Sequence, residues 1–451
     1  MKPPLMISVA GIRGIIGTSL TPPVLARFAA AFAQGLGDGP VVVGRDARTS
    51  GPMVYRAVAA GLTAAGRDVV NLGLATTPTT EVAVETLGAA GGVILTASHN
   101  PAEWNALKFL SSRGEFLDAT AGADVKRRFE SDDNLWVSFD RLGGEREESG
   151  ALAWHLRRVL DLEELELDRI RSARLKVVVD GCASVGGLAV PEILREMGVE
   201  VVELDCEPNG RFTRELEPLP EHLGRLGATV AEKGAHFGVA VDPDADRAAF
   251  VDARGVPLGE EYTLALAASV TLARRQGPVV TNLSTSRIID AICARHGVEV
   301  FRTPVGEAHV VAGMRAHGAV IGGEGNGGVI HPRAHYGRDG LVAAALMCQA
   351  LVAGERTLRE LADTLPRLYM VKEKTTRPEG AWEEAVGALR AALPEHSTES
   401  TDGIRLSRED EWIHVRPSGT EPVVRLIAES PSQRRTEELL VSARRALRGD
   451  S

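Results

Sequence analysis

KVVVDGCASVGGLAVPEILREMGVEVVEL, residues 176–204, holds a small fold in miniature. A short β-branched run leads into a loop of small residues. An amphipathic stretch ends at Gly198, and a second β-branched run follows. Short apolar runs of this kind read as buried strands, and the segment between them reads as a helix. A helix joining two such strands builds a parallel sheet covered on its faces.

The pattern recurs on both sides. Residues 41–72 read VVVGRDARTSG, then a helical stretch with Val54, Val58 and Leu62 on one face, then DVVNL. Residues 278–303 read PVVTNLSTS, RIIDAICARHG and VEVFRT. Three α/β units of related topology follow, with mixed, mostly parallel sheets and a spacing too long for a solenoid. After Leu365-Pro366 the pattern changes. A helix around 381–392, short strands near 402–406, 411–415 and 423–428, and a helix over 434–448 predict a smaller C-terminal α+β domain. The expected domains are 1–150, 151–253, 254–367 and 368–451. The charged, glycine-rich residues 140–150 serve as the first linker, and Asp252-Ala253-Arg254-Gly255 as a turn near the second boundary.

At 451 residues the chain exceeds a single core. Its 44% hydrophobic and 25% charged residues are those of a globular protein. Aromatics at 4% and a formal charge of −10 argue against nucleic acid, while leaving room for a local basic site for a small anion. Cys182, Cys206, Cys293 and Cys348 lie far apart and read as free thiols. The opening MKPPLMISVAGIRG lacks the apolar core of a secretion signal, and no stretch approaches the ~18 apolar residues of a membrane span. A cytoplasmic protein with a small-molecule ligand and no membrane partner is expected.

Four loops carry candidate chemistry. Thr96-Ala97-Ser98-His99-Asn100-Pro101 closes an apolar run. No G-x-S-x-G elbow surrounds Ser98, and on extended backbone His99 would point away from it. The serine reads as a phosphoryl carrier or as a turn residue. Asp242, Asp244 and Asp246 alternate after FGVAV, a spacing that repels unless a cation sits among them; oxygen ligands suit Mg²⁺. With Arg247 and Ala253 at the sixth and twelfth positions it is no EF-hand. Residues 322–328, GGEGNGG, contain a formal G-x-G-x-x-G, but Val-Ile-His-Pro follows and no acid lies in 341–354, so the dinucleotide reading fails. Glu324 among glycines suits a hydroxyl-binding loop or a bare hairpin. Arg416-Pro417-Ser418-Gly419-Thr420-Glu421-Pro422 with Arg425 offers guanidinium, hydroxyl and backbone N–H groups for a phosphate, or forms a turn.

Together GIRG (11–14), GRDARTSG (44–51), TASHNP (96–101), DPDADR (242–247), GEGNGG (323–328) and RPSGTEP (416–422) resemble the α-D-phosphohexomutases: phosphoglucomutases, phosphomannomutases and phosphoglucosamine mutases. The likeness covers essentially the whole chain. It implies four domains around a central cleft. Ser98 would be the phosphoserine and, with Asp242, Asp244 and Asp246, a ligand of one Mg²⁺ ion. Arg13, Lys108 and Arg247 match cleft positions, with Lys108 the candidate for acid/base help at the sugar oxygen. Glu324 and Asn326 would bind sugar hydroxyls; Arg416, Ser418, Gly419, Thr420 and Arg425 would hold the phosphate not being transferred. The implied reaction passes a phosphoryl group between O6 and O1 of a hexose phosphate through a 1,6-bisphosphate, in a monomer or homodimer.

Two departures bear on the sugar. Many members end the sugar loop in Ser-Gly-His where this chain has Asn326, Gly327 and Gly328, and others carry histidine where Glu307 stands. His309, His331 and His335 lie nearby and read as surface or supporting residues. The N-G-G form is most similar to phosphoglucosamine mutase-like members, including those of archaeal type. Phosphomannomutase/phosphoglucomutase is the alternative; a sugar-phosphate sensor or a metal-dependent phosphatase is the reading from a different class.

Overall fold

The computed structural model describes residues 5–8, 11–131, 135–376, 382–418 and 423–448. Each of the first three units contains a run of four consecutive strands in which the first lies centrally, the second on one side, the third on the other and the fourth beyond; in the first unit the earlier hairpin of Met6–Ser8 and Gly11–Ile15 is added outside the fourth. In the first unit this order is Val69–Leu74, Val41–Arg45, Gly91–Leu95, Trp104–Leu110. In the second it is Glu200–Leu204, Lys176–Asp180, Phe237–Val241, Ala248–Asp252. In the third it is Val300–Thr303, Val279–Asn282, Ile321–Glu324, Gly328–Ile330. Within each run of four the first three strands are parallel and the fourth turns back antiparallel. The turn between third and fourth strands therefore leaves the carboxyl end of a parallel strand, where open α/β sheets bind ligands. TASHNP, DPDADR and the turn after Glu324 are this same turn three times over.

Two expectations are modified. Within residues 140–150, Glu145–Glu147 is no free linker: it pairs in parallel with Val69–Leu74 as the outer strand of the first sheet. Its exposed charged side chains suit an edge. The second and third units also share one continuous apolar core, running from Leu156 to Leu365. At its centre lies the helix Gly340–Gly354, buried from Gly340 to Val352.

The last unit is an antiparallel sheet, ordered Tyr369–Thr376, Val423–Ser430, Glu411–Pro417, Ile404–Arg408, Ser397–Glu399. Ser397–Glu399 had no signal in the sequence. Gln433–Arg448 covers the sheet with Leu439, Leu440, Ala443 and Leu447, one helical face at 3.6-residue spacing. The four cysteines are buried free thiols. Among the described residues no helix is long and apolar enough to cross a membrane.

Candidate active site

Ser98 follows the end of strand Gly91–Leu95 with φ 48°, a left-handed conformation uncommon for a residue with a Cβ. Arg48 holds it there. This buried arginine donates from Nη2 to the carbonyls of Ser98 and Asn100, both at 2.6 Å. From Nη1 it donates to Pro101 at 2.6 Å and Trp104 at 3.1 Å, and from Nε to Asp46 at 3.1 Å. Five turn and strand acceptors thus converge on one guanidinium. Arg48 lies inside the motif GRDARTSG (44–51), but its spacing does not reveal that it turns inward, since an arginine in a loop ordinarily faces water.

The bent backbone aims Ser98 Oγ across the domain boundary to donate to Asp242 Oδ2 at 2.7 Å. It also brings His99 Nδ1 within 3.3 Å of Oγ, so the two side chains do not point apart as extended backbone would require. His99 is nevertheless a poor base. Burial, reinforced by Arg247, Lys108 and Arg13, pushes its pKa down to about 2.

The ligand atoms of Asp242, Asp244 and Asp246 lie within 4.8 Å of one another, and all three carboxylates are buried. Lys108 Nζ donates to Asp244 Oδ2 at 2.7 Å and lies 3.8 Å from Asp246 Oδ2. Thr77, at a helix N-terminus, donates its Oγ1 to the same Asp244 oxygen at 2.7 Å and its N–H to the Asp244 carbonyl at 2.9 Å. Oδ1 of Asp244 and Oδ1 of Asp246 are buried and accept no hydrogen bond. Buried carboxylate oxygens without partners are costly. Here they complete a hard-oxygen set that fits a divalent cation. Burial opposes the Lys108 ammonium, but Asp244 and Asp246 outweigh it and raise its pKa, so Lys108 sits in its proton-bearing form.

The third hairpin rests directly on the second. Ala248 N–H donates to the Gly327 carbonyl at 3.0 Å, and a Cβ on Gly327, whose φ is 89°, would lie 2.5 Å from the Ala248 carbonyl oxygen. Glu324 Oε1 accepts from Asn282 at 2.7 Å and from Gly306 N–H at 3.1 Å, and Oε2 accepts from Arg338 at 2.8 Å. Burial pushes against its charge, yet Arg338 and Asn282 hold its pKa below the usual carboxylate range.

Four family descriptions tile the chain in order: phosphoglucomutase/phosphomannomutase alpha/beta/alpha domain I over residues 6–136, domain II over 155–255, domain III over 259–369 and the C-terminal domain over 370–446. The chain belongs to this family. It is a phosphohexomutase, an enzyme of the isomerase class. A probable phosphoglucosamine mutase of Methanopyrus kandleri is 38% identical over 434 residues, covering 95% of each chain. A phosphoglucomutase/phosphomannomutase of Thermococcus kodakarensis is 36% identical over 440 residues, again covering 95% of each. Among solved structures, a phosphoglucomutase/phosphomannomutase family protein from Burkholderia thailandensis superposes with a TM-score of 0.86 at 27% identity, covering 99% of this chain and 97% of that one.

The remaining candidate residues of the mutase fall around this centre. Arg247 donates from Nη1 to Glu217 at 3.0 Å and lies 3.7 Å from Asp246 through Nε. Arg13 reaches Asn100 Oδ1 at 3.4 Å from the neighbouring strand Gly11–Ile15. Asn326 turns back to Glu324 Oε2 at 3.4 Å. Arg416 and Arg425 face each other in register on adjacent strands, and Ser418 donates its N–H to the Val423 carbonyl at 2.8 Å. Gly419 and Thr420 lie outside the described residues. Arg416 donates to Asp402 Oδ2 at 2.9 Å, and the same oxygen accepts from Val305 N–H at 3.0 Å. Asp402 therefore fastens the fourth domain to the loop beside Glu324.

The histidines divide. His309 is exposed, as a surface residue should be, whereas His331 and His335 are buried. His331 pairs with Glu164 at 3.2 Å. His335 and His155 both meet Asp339 Oδ2, at 3.0 and 2.7 Å, and His335 Nδ1 lies 3.2 Å from Glu81. These contacts tie the helices Thr77–Thr86 and Ala151–Leu160 to the N-cap of Gly340–Gly354, bracing the cleft from behind.

Proposed function

We propose that this phosphohexomutase converts glucosamine 6-phosphate to glucosamine 1-phosphate through phosphorylated Ser98 and a 1,6-bisphosphate. The carrying observation is the 2.7 Å bond from Ser98 Oγ to Asp242, beside two buried carboxylate oxygens that have no partner. A Mg²⁺ ion on Asp242, Asp244, Asp246 and an oxygen of phosphorylated Ser98 would neutralise charge on the transferring group. Arg247 and the protonated Lys108 add fixed positive charge at the same place, where phosphoryl transfer needs electrostatic stabilisation more than covalent chemistry. The protonated Lys108 can hydrogen-bond the sugar oxygen as the phosphoryl group moves, while the proton of the attacking hydroxyl ends on the serine oxygen that gives up the group. Glu324 and Asn326 orient hydroxyls, and Arg416, Arg425 and Ser418, with Gly419 and Thr420 of the same motif as further candidates, would hold the second phosphate. After the bisphosphate turns over, the other phosphate returns to Ser98.

Two features favour the amino sugar. The more similar of the two relatives named above is called a probable phosphoglucosamine mutase. Beside the sugar hairpin, Glu307 Oε1 is buried without a hydrogen-bond partner, an acceptor suited to an ammonium group. The name of the Thermococcus relative supports mannose or glucose phosphates as the second reading. Turnover of glucosamine 6-phosphate, mannose 1-phosphate and glucose 1-phosphate, each primed with its 1,6-bisphosphate and Mg²⁺, separates them. A lead for glucosamine 6-phosphate that Ser98→Ala abolishes supports the proposal; a lead for another ester overturns the substrate. Release of free phosphate without isomerisation overturns the reaction.

A further inference from the structure

Arg338 stands where the metal hairpin, the sugar hairpin and the Glu307 helix meet. Its Nη2 donates to Asp246 Oδ2 at 2.6 Å, Nη1 to Glu324 Oε2 at 2.8 Å, and Nε to Glu307 Oε2 at 2.8 Å. It is 8% exposed. A Cβ on Gly328 would lie 2.3 Å from Arg338 Cδ, so the arginine stem fills the space a side chain at 328 would need. The two departures noted in the sequence, Gly328 and Glu307, thus have one cause in space: the first makes room for Arg338 and the second pairs with it.

We propose that Arg338 is a positioning residue that couples cation binding at the aspartate triad to sugar binding at the Glu324 hairpin. This rests on the metal reading given above. By taking Asp246 Oδ2, Arg338 fixes the carboxylate so that Oδ1, buried and without a hydrogen-bond partner, is the oxygen left for a cation. Its other arm fixes Glu324, whose Oε1 is held by Asn282 and Gly306. A planar guanidinium sets the separation of the two carboxylates, which a lysine ammonium, a point charge, cannot do. With a divalent ion on Asp246 sharing the charge balance, Arg338 would be more fully committed to Glu324 and Glu307. Sugar binding that draws on Glu324 must then act back on the metal by the same factor.

The test uses the full chain carrying Ser98→Ala, so that nothing turns over, and titrates Mg²⁺ calorimetrically with and without saturating glucosamine 6-phosphate. In this parent the sugar phosphate is expected to tighten Mg²⁺ binding about 5-fold or more. Adding Arg338→Lys should weaken Mg²⁺ alone by about 10-fold, as loss of an outer-shell partner does, and bring the coupling factor to about one. Gly328→Ala, which crowds Arg338 while leaving every charge in place, should lower the coupling too, and it decides the matter if Arg338→Lys does not fold. Parent-like coupling in these variants overturns the proposal. So does Mg²⁺ binding by the parent without any coupling, and in that case the metal reading stands. A parent that takes up no Mg²⁺ overturns the metal reading itself, and the coupling with it.

Discussion

Replacing Arg48 by lysine keeps the charge and most of the volume but breaks the fork that holds the Ser98 turn. Arg48 serves four carbonyls and one carboxylate from three nitrogens. A lysine has three protons on one atom and can reach at most three of these acceptors. At least two buried acceptors then lose their donor, at about 1–3 kcal/mol each, so a local loss of about 2–4 kcal/mol follows after partial relaxation. The loss falls on residues 98–104, whose own backbone bonds are few: Asn100 N–H to Ala97 and Trp104 N–H to Pro101, both at 3.0 Å. Native-state hydrogen exchange reads it directly. At 1.4 kcal/mol per decade, exchange at Asn100 and Trp104 should accelerate about 30- to 700-fold. Amides of the strand Phe237–Val241, in the next domain, should not change. Because Ser98 Oγ reaches Asp242 only from its strained backbone, single-turnover phosphoryl transfer should fall by about 100-fold, the cost of a misplacement near 1 Å. Unchanged exchange at Asn100 and Trp104, with transfer within about twofold of wild type, would refute the view that Arg48 sets the turn.

Three further predictions follow from the same geometry. Burial works against charge on His335, but Asp339 and Glu81 raise its pKa from 6.5 to about 10. Its contribution to stability is therefore complete below about pH 6.5 and is lost as pH rises through about 10. Thermal unfolding midpoints should drop across that window, and His335→Gln should flatten the profile; a parallel profile would show that His335 is not the group involved. Asp402→Asn keeps an acceptor for Val305 N–H while removing the negative charge that pairs with Arg416, so KM for a sugar phosphate should fall about 2- to 10-fold. A KM that is unchanged or higher would mean Asp402 does not compete with the substrate phosphate. Glu307→Gln should reduce kcat/KM for glucosamine 6-phosphate about 10-fold more than for glucose 6-phosphate, the value of one charged hydrogen bond; equal losses would remove Glu307 from amino-group recognition.

What could be read along the chain was local. Strand and helix periodicities fall within a single unit, so the β-loop-α-β pattern of residues 41–72, 176–204 and 278–303 was legible without coordinates. Loops dense in glycine, aspartate and hydroxyl residues were legible as well, above all the alternating Asp242, Asp244 and Asp246, whose charges repel unless a cation sits among them. The edge strand Glu145–Glu147 was missed, since three exposed charges carry no alternating apolar signal. His99 turns toward Ser98 and not away from it, because the left-handed φ of Ser98 is imposed from outside the motif.

The tertiary structure decided which residues hold the loops to one another. Composition and spacing showed Ser98, the three aspartates and Glu324, but not that their turns are one topological position repeated in three sheets. Nor could they show Arg48, Thr77 and Arg338. Arg48 grips a turn 50 residues away, Thr77 an aspartate 167 away, and Arg338 an aspartate 92 away. An arginine or threonine in a loop looks the same in sequence whether it faces water or a buried carboxylate. Its partner is fixed only when separate sheets pack, because the free energy of the pairing comes from desolvation that the whole assembly creates.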